Sequence, residues 1–118
     1  MNNNEKVAII TGSSQGLGAS VAKKLAKNNI NVVINYSSNK NLALEVEKFC
    51  ISQNVKTLCI NADISTDSGC KKLVDETINF FGRVDILVNN AGTTKFANHS
   101  KLDELSSEDF INIYRLNV

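Results

Sequence analysis

The fold is decided by one stretch, TGSSQGLG at residues 11–18. It follows the short apolar run VAII at residues 7–10 and opens a helical pattern carried by Leu17, Val21 and Leu25. A strand, a glycine-rich turn and a helix in this order are typical of a unit that binds the pyrophosphate of a dinucleotide. Glycines let the backbone turn sharply and approach a phosphate, and the start of the helix offers N–H groups to the anion. The stretch therefore predicts a nucleotide-binding α/β fold.

Outward from this turn, strand patterns alternate with helical patterns to the end of the chain. Strands are predicted at residues 5–10, 31–35, 55–60 and 84–88, and helices at 15–27, from 38 or 39 to 50, at 65–81, and from 106 through Asn117. Because β-α-β crossovers are right-handed, the parallel strands should lie in the order 3-2-1-4. The predicted fold is a Rossmann-type, doubly wound α/β sheet that forms one domain over residues 1–118.

The strand order reverses between the first and the fourth strand, and ligands of open α/β sheets bind in such a crevice. The glycine turn follows the first strand and the break NNAG at residues 89–92 follows the fourth, so both should lie at the same edge. The run ILV at residues 86–88 is continuously apolar. As a last strand it would leave an unprotected edge. A fifth strand should cover that edge, and the domain is expected to be incomplete.

The composition is that of one soluble globular domain, with 118 residues of which 42% are hydrophobic and 21% charged. Thirteen basic and 12 acidic residues leave a net charge of +1, which gives no electrostatic footprint for nucleic acid. No apolar run approaches the roughly 18 residues of a membrane span, and the polar start MNNN is no signal peptide. We therefore expect a cytoplasmic protein without a nucleic-acid or membrane partner.

Cysteine and histidine are too few and too scattered to predict a metal site. Cys50, Cys59 and Cys70 lack a paired C-x-x-C spacing, and His99 is the single histidine of the chain. The three thiols are expected to be reduced and mostly buried.

Four motifs occur in order along the chain: TGxxxGxG at 11–18, NADIS at 61–65, NNAG at 89–92 and LNV at 116–118. With these motifs at these intervals, the chain resembles the short-chain dehydrogenase/reductase family from Lys6 to Val118. The resemblance implies NAD(P)-dependent hydride transfer between the nicotinamide and a small carbonyl or alcohol substrate. It also implies a homotetramer.

The resemblance places the catalytic serine and the Tyr-x-x-x-Lys pair of the family after Val118, so the 118-residue chain by itself is expected to be inactive. Tyr36 and Lys40 have the spacing of that pair, but they lie at the adenosine end of the cofactor and are interpreted as a chance match. A non-catalytic dinucleotide-binding module, used for sensing or interaction, is the alternative function.

The candidate site follows from the turn, the strand ends and the family motifs together. The candidate cofactor-binding residues are Gly12, Ser14, Gln15, Gly16, Leu17, Gly18, Tyr36, Ser37, Asp63, Ile64, Asn90, Ala91 and Gly92, and Asn117 matches the catalytic asparagine of the family. By resemblance, the Asp63 carboxylate accepts a hydrogen bond from the adenine amino group, with the Ile64 backbone assisting. Asp63 could instead cap the third helix.

The choice between NAD and NADP depends on the end of the second strand. An acidic side chain about 20 residues past the glycines would hydrogen-bond the ribose 2′-hydroxyl and repel a 2′-phosphate. Tyr36 and Ser37 stand there, and no acid does. The family often has a basic residue just before the second motif glycine, where this chain has Gln15, and Lys40 could reach a 2′-phosphate. NADP is favoured, and NAD stays possible.

Overall fold

Strands and helices alternate along the part of the chain that the computed structural model describes, which is residues 5–90 and the backbone of residues 112–115. The elements are β1 (Val7–Ile10), α1 (Gly16–Lys27), β2 (Asn31–Tyr36), α2 (Lys40–Ile51), β3 (Thr57–Asn61), α3 (Asp67–Phe81), β4 (Ile86–Asn89) and β5 (Asn112–Arg115). The bounds of the first seven differ from the predicted ones by one or two residues, as in β3, which was expected at 55–60.

The strands form one sheet in the order β3-β2-β1-β4-β5. β1 pairs in parallel with β2, with Val7 opposite Asn31, and in parallel with β4, with Ala8 opposite Ile86. β2 and β3 are parallel as well. The predicted α/β fold class and the predicted order 3-2-1-4 are therefore confirmed.

The prediction of a helix at residues 112–115 is wrong. These residues form β5, which pairs antiparallel with β4 so that Asn112 lies opposite Asn89 and Arg115 opposite Ile86. The outer edge of β4 offers a row of backbone N–H and C=O groups for pairing, and Ile113 and Tyr114 are residue types enriched in strands. A fifth strand covers the outer edge of β4, as expected, but residues 112–115 form it, and these had been predicted to be helical. The rest of the predicted helix, residues 106–111 and 116–117, lies outside the described residues.

Helices cover both faces of the sheet. Successive residues of a strand point to opposite faces, so each strand contributes to the core on both sides. Ala8 and Ile10 of β1 face the cluster that contains buried residues of α1 and α2, whereas Val7 and Ile9 face the cluster that contains Leu73 of α3. The buried residues of α1 are small: Gly18, Ala19, Ala22 and Ala26. Val21 and Leu25 pack only partly against the sheet, and Leu17 is 55% exposed.

None of the described cysteines forms a disulfide, and Cys50 and Cys70 are buried while Cys59 is half-buried. Burial raises the pKa of Cys50 and of Cys59 to about 11. Thiols of this kind are poor nucleophiles at neutral pH, because little thiolate is present.

Asparagine, threonine and glycine mark the ends of the helices. Asn39 caps α2 by accepting a hydrogen bond from the Leu42 N–H, at 3.2 Å. Asn29 after α1, Asn54 after α2 and Gly82 after α3 have φ angles of 64°, 66° and 79°. This left-handed conformation ends a helix, and after glycine, asparagine tolerates it best.

Candidate functional site

The carboxyl ends of β1 and β4 meet in a network of hydrogen bonds. The Thr11 N–H donates to the Val88 carbonyl at 3.0 Å, and the Thr11 hydroxyl donates to Asn89 Oδ1 at 3.2 Å. The Asn90 N–H donates to Thr11 Oγ1 at 2.9 Å, and its side-chain Nδ2 donates to the Gly12 carbonyl at 3.2 Å. The glycine turn and the first two residues of the NNAG break, Asn89 and Asn90, are thus in direct contact at the predicted edge.

The three glycines of the turn meet different requirements. Gly12 and Gly16 have φ angles of 59° and 60°, in the left-handed region that glycine adopts at no steric cost. Gly18 has an ordinary φ, but a Cβ there would overlap the Gly12 carbonyl oxygen and lie 2.7 Å from Asn90 Nδ2. The absence of a side chain at Gly18 therefore lets the first turn of α1 lie against the backbone of the glycine turn.

The start of α1 is suited to an anion. Gln15 precedes the helix without making a side-chain capping bond, and the first turn carries no acidic residue. The first N–H groups of a helix have no partner within it, and they carry the positive end of the helix dipole. Gln15, Gly16 and Leu17 are exposed and Ser14 is half-buried. An anion can therefore reach these groups from solvent.

Asn35 of β2 belongs to this site, although no motif marked it. It is 2% exposed, its Oδ1 accepts from the Gly12 N–H at 3.0 Å, and its Nδ2 donates to the carbonyls of Ala62 at 3.1 Å and Ile60 at 3.4 Å. Its backbone pairs with Ser13, whose N–H donates to the Asn35 carbonyl at 2.9 Å. An asparagine within an apolar central strand is the sequence signal that could have found it, since a buried amide needs partners.

Asp63 is exposed just after β3, and it does not cap α3. The cap is Thr66, whose Oγ1 accepts from the Gly69 N–H at 3.0 Å. Asp63 Oδ1 accepts from the Ser65 N–H at 3.0 Å and from the Ser65 hydroxyl at 2.6 Å, and these hydrogen bonds lower the pKa of Asp63. The carboxylate is therefore ionised at neutral pH, and no hydrogen bond of the described residues engages its Oδ2.

Gly69 lets this loop lie close to α3, and no motif of the sequence marked this glycine. A Cβ at Gly69 would overlap the Asp63 carbonyl group and lie 3.0 Å from Thr66 Oγ1. Ile64, which follows Asp63, is buried in the cluster beneath α3. The position of Asp63 is thus fixed by the packing of the residues around it.

The end of β2 presents small polar side chains. Tyr36 is buried in the core cluster under α1 and α2, so its ring offers little surface to a ligand. Ser37 is exposed, and Lys40 is exposed in the first turn of α2. Four residues considered for a site in the sequence analysis lie outside the described part of the chain: Ala91, Gly92, His99 and Asn117.

Residues 5–90 contain no group of three or more histidine, cysteine, aspartate or glutamate side chains that could hold a metal ion. Among the helices that the structure describes, none is both long and apolar enough to cross a membrane.

Known proteins with a similar sequence or structure belong to one family. A sequence model described as short chain dehydrogenase matches residues 6–118. An uncharacterized oxidoreductase of Methylorubrum extorquens is 39% identical over 113 residues, which are 96% of this chain and 44% of that protein. A crystal structure of a Burkholderia xenovorans protein described as a short-chain dehydrogenase/reductase has a TM-score of 0.72 at 33% identity, covering 86% of this chain and 42% of that one. A Burkholderia cenocepacia protein described as a dehydrogenase, solved with bound NADP, has a TM-score of 0.69 at 30% identity, over 71% and 33% of the two chains. This chain thus spans less than half the length of each of these proteins.

Proposed function

The chain belongs to the short-chain dehydrogenase family, and we propose that it holds the nicotinamide dinucleotide with which the protein moves a hydride between the cofactor and a small carbonyl or alcohol. Members of the family are oxidoreductases. One observation carries the proposal: the start of α1, with exposed residues at 15–17 and no acid in its first turn, lies beside the crevice between β1 and β4. This is where a doubly wound sheet binds a dinucleotide.

The carboxyl ends of β1, β3 and β4 would hold the dinucleotide. The N–H groups of Gly16, Leu17 and Gly18 would hold its pyrophosphate, and Asp63 Oδ2 would accept a hydrogen bond from the adenine amino group. Asn90, followed by Ala91 and Gly92, lines the ribose on the nicotinamide side. The bound cofactor supplies the hydride, and the residues of this chain bind and orient it.

NADP is the preferred cofactor in this proposal. The end of β2 lacks an acid that would repel a 2′-phosphate, and Ser37 and Lys40 are exposed there. Binding of NADP by the Burkholderia cenocepacia protein supports the preference. Tyr36 contributes mainly its backbone, because its ring is buried.

The remaining steps involve residues that the structure does not describe. Asn117 takes part in catalysis in this proposal, and the resemblance places the serine and the tyrosine that would polarise the carbonyl, together with the lysine paired with that tyrosine, after Val118. A cytoplasmic homotetramer stays a prediction.

Titration with NADPH and with NADH, followed by the fluorescence of the reduced nicotinamide, tests the proposal. Saturable binding is expected for both, tighter for NADPH by about tenfold, or about 1.4 kcal/mol. Failure of the folded protein to bind either dinucleotide would overturn the proposal. Binding by a polypeptide that continues past Val118, without turnover of any compound in a broad carbonyl panel, would favour the non-catalytic module instead.

A further inference from the structure

We propose that Asn35 is a positioning residue for the dinucleotide, and that its buried amide couples the adenine end of the site to the phosphate-binding start of α1. The inference rests on the proposed function, because it explains how one side chain aligns two parts of a cofactor site. Asn35 itself is 2% exposed and touches no ligand position directly.

Only a short amide side chain fits the chemistry of this position. The side chain accepts a hydrogen bond from the Gly12 N–H and donates to the carbonyls of Ile60 and Ala62. An amide supplies an acceptor on one atom and two donors on the other, whereas a carboxylate supplies acceptors only and an aliphatic chain neither. The network also fixes which atom of Asn35 is oxygen and which is nitrogen.

The phosphate side of the coupling runs through Gly12. The Gly12 N–H donates to Asn35 Oδ1 at 3.0 Å, and Asn90 Nδ2 donates to the Gly12 carbonyl at 3.2 Å. Both backbone polar groups of this left-handed residue are therefore fixed. Gly18 lies so close to the Gly12 carbonyl that no Cβ would fit between them. Any shift of Gly12 is therefore passed to the first turn of α1, where the N–H groups for the pyrophosphate lie.

The adenine side of the coupling runs through Ala62. The Asn35 amide donates to the Ala62 carbonyl at 3.1 Å, and the next residue, Asp63, carries the carboxylate assigned to adenine. Ala62 is buried, so its carbonyl has to be paired within the protein. Asn35 is thus the one described side chain that bonds both the glycine turn and the segment leading to Asp63.

Asn31 provides a matched control on the same strand. It is also buried and also bonds the β3 side of the sheet, since its Oδ1 accepts from the Lys56 N–H at 2.9 Å. It lies at the amino end of β2, away from the glycine turn. Replacing either asparagine by leucine removes a buried amide between β2 and the β3 segment, but only the change at Asn35 also releases Gly12.

The test compares N35L, N31L and the unchanged protein by calorimetry, under conditions where each is shown to be folded. ADP-ribose spans both ends of the site, and adenosine probes the adenine end alone. We expect N35L to weaken ADP-ribose binding by about tenfold, which corresponds to the free energy of about one hydrogen bond. Adenosine binding should change by less than about threefold in N35L, and N31L should bind ADP-ribose within about twofold of the unchanged protein.

The outcomes separate this inference from the proposed function. If the unchanged protein fails to bind ADP-ribose, the proposed function fails. If it binds but N35L binds equally well, or N31L loses as much affinity as N35L, the coupling role is wrong and the proposed function stands.

A second measurement needs no variant, in case N35L does not fold. Inorganic pyrophosphate added to the unchanged protein should shift the NMR signals of the buried Asn35 side-chain amide, because the start of α1 is linked to it through Gly12. The signals of the Asn31 amide should stay in place. Asn35 signals that do not move at saturating pyrophosphate contradict the coupling.

Discussion

Single residues of the glycine turn carry constraints that a motif alone does not distinguish. Gly12 and Gly16 are needed for their left-handed φ, whereas Gly18 is needed for space, because the Gly12 carbonyl and Asn90 lie where a Cβ would be. The TGxxxGxG pattern predicted that all three matter, but only the packing shows why the third one does. A substitution at Gly18 therefore tests the contact between helix and turn.

Gly18→Ala should weaken dinucleotide binding by at least about tenfold, because the methyl group pushes the first turn of α1 away from Gly12. Overpacking at such a contact also costs about 1–3 kcal/mol of unfolding free energy. Ser20→Ala is the matched control, since Ser20 is exposed two residues further along the same helix, and it should leave stability within about 0.5 kcal/mol. Cofactor titration and urea unfolding measure both quantities. Unchanged affinity in Gly18→Ala would contradict the close contact.

Substitutions of Asp63 and Thr66 should have different effects, one on the affinity for the dinucleotide and the other on the stability of the fold. Asp63→Ala removes the exposed carboxylate assigned to adenine, so we expect weaker binding of adenosine and of the dinucleotide with little loss of stability. Thr66→Ala removes the cap of α3 and should cost about 1 kcal/mol of unfolding free energy, with affinity nearly unchanged. Calorimetric titration and urea unfolding of both variants check this. The opposite pattern would make Asp63 a structural residue of the helix start.

Asn35 and Gly69 show the limit of prediction at this scale. The position of Asp63 next to the end of the third strand could be predicted from the strand pattern, whereas its contact with adenine is implied by the family resemblance and stays a prediction. The need for glycine at position 69 could not be predicted, since it arises from the Asp63 carbonyl, which lies where a Cβ would be. The sequence of the helix alone does not show that contact. Asn35 could have been suspected from its polarity, but its partners come from two distant segments of the chain, residues 12–13 and 60–62.

At the scale of elements, β5 is the clearest difference between prediction and structure. Phe110, Ile113 and Tyr114 have helical spacing, but Ile111 and Ile113 also alternate as a strand requires. A short apolar segment of this kind fits both periods. Residues 112–115 form a strand because they can pair with the outer edge of β4, and that edge is a feature of the tertiary structure. The other helices and strands were predicted well, because each pairs a clear period with a cap or a glycine at its end.

The fit of α3 against the loop after β3 gives a prediction for that element. Gly69→Ala should destabilise the protein by about 1–3 kcal/mol, although alanine favours helices, because the new methyl group overlaps the Asp63 carbonyl. Ser68→Ala, an exposed change one residue earlier, should have little effect or raise stability slightly. Urea unfolding measures the difference. A gain in stability for Gly69→Ala would show that the loop can move away without cost.

At the scale of the whole molecule, the topology was predictable from few rules. Alternating periods set the order of elements, right-handed crossovers set the strand order, and the reversal between β1 and β4 placed the crevice. These rules do not depend on individual side chains, and so they succeeded. The hydrogen bonds that lock the crevice depend on exact partners across 20 to 80 residues of sequence, as in the bond from Asn90 to Gly12, and no local pattern encodes them.

The amino end of the sheet is held by a charge pair that should make stability depend on pH. Asp85 accepts hydrogen bonds from the Val7 N–H and from Arg83 Nε, both at 2.8 Å. Burial opposes the ionisation of Asp85, but these hydrogen bonds and the charge of Arg83 outweigh it and lower the pKa of Asp85. The folded state therefore favours the carboxylate. This stabilisation is present above the unfolded pKa of about 3.9, and it is lost as the pH falls through the lower pKa of the folded state.

Asp85→Asn should lower the unfolding free energy at pH 7 by about 1.5–3 kcal/mol, the range for hydrogen bonds to charged groups. The gap to the unchanged protein should narrow as the pH falls below about 4, because Asp85 is then protonated as well. Urea unfolding at a series of pH values measures it. A gap that stays constant down to pH 2 would mean that Asp85 acts through its shape and not through its charge.

The asparagines at the helix ends and in β2 show why this fold accommodates a high content of asparagine. The chain is rich in asparagine and has no proline. Asn29 and Asn54 take up the left-handed conformation, Asn39 caps a helix, and Asn31 and Asn35 bridge strands. Each of these positions uses a property of the short amide side chain. A genomic bias towards asparagine would therefore meet little selection against asparagine at these sites. Glycine at positions 29 and 54 should be equally acceptable to the fold, whereas position 35 leaves no such freedom to mutational drift.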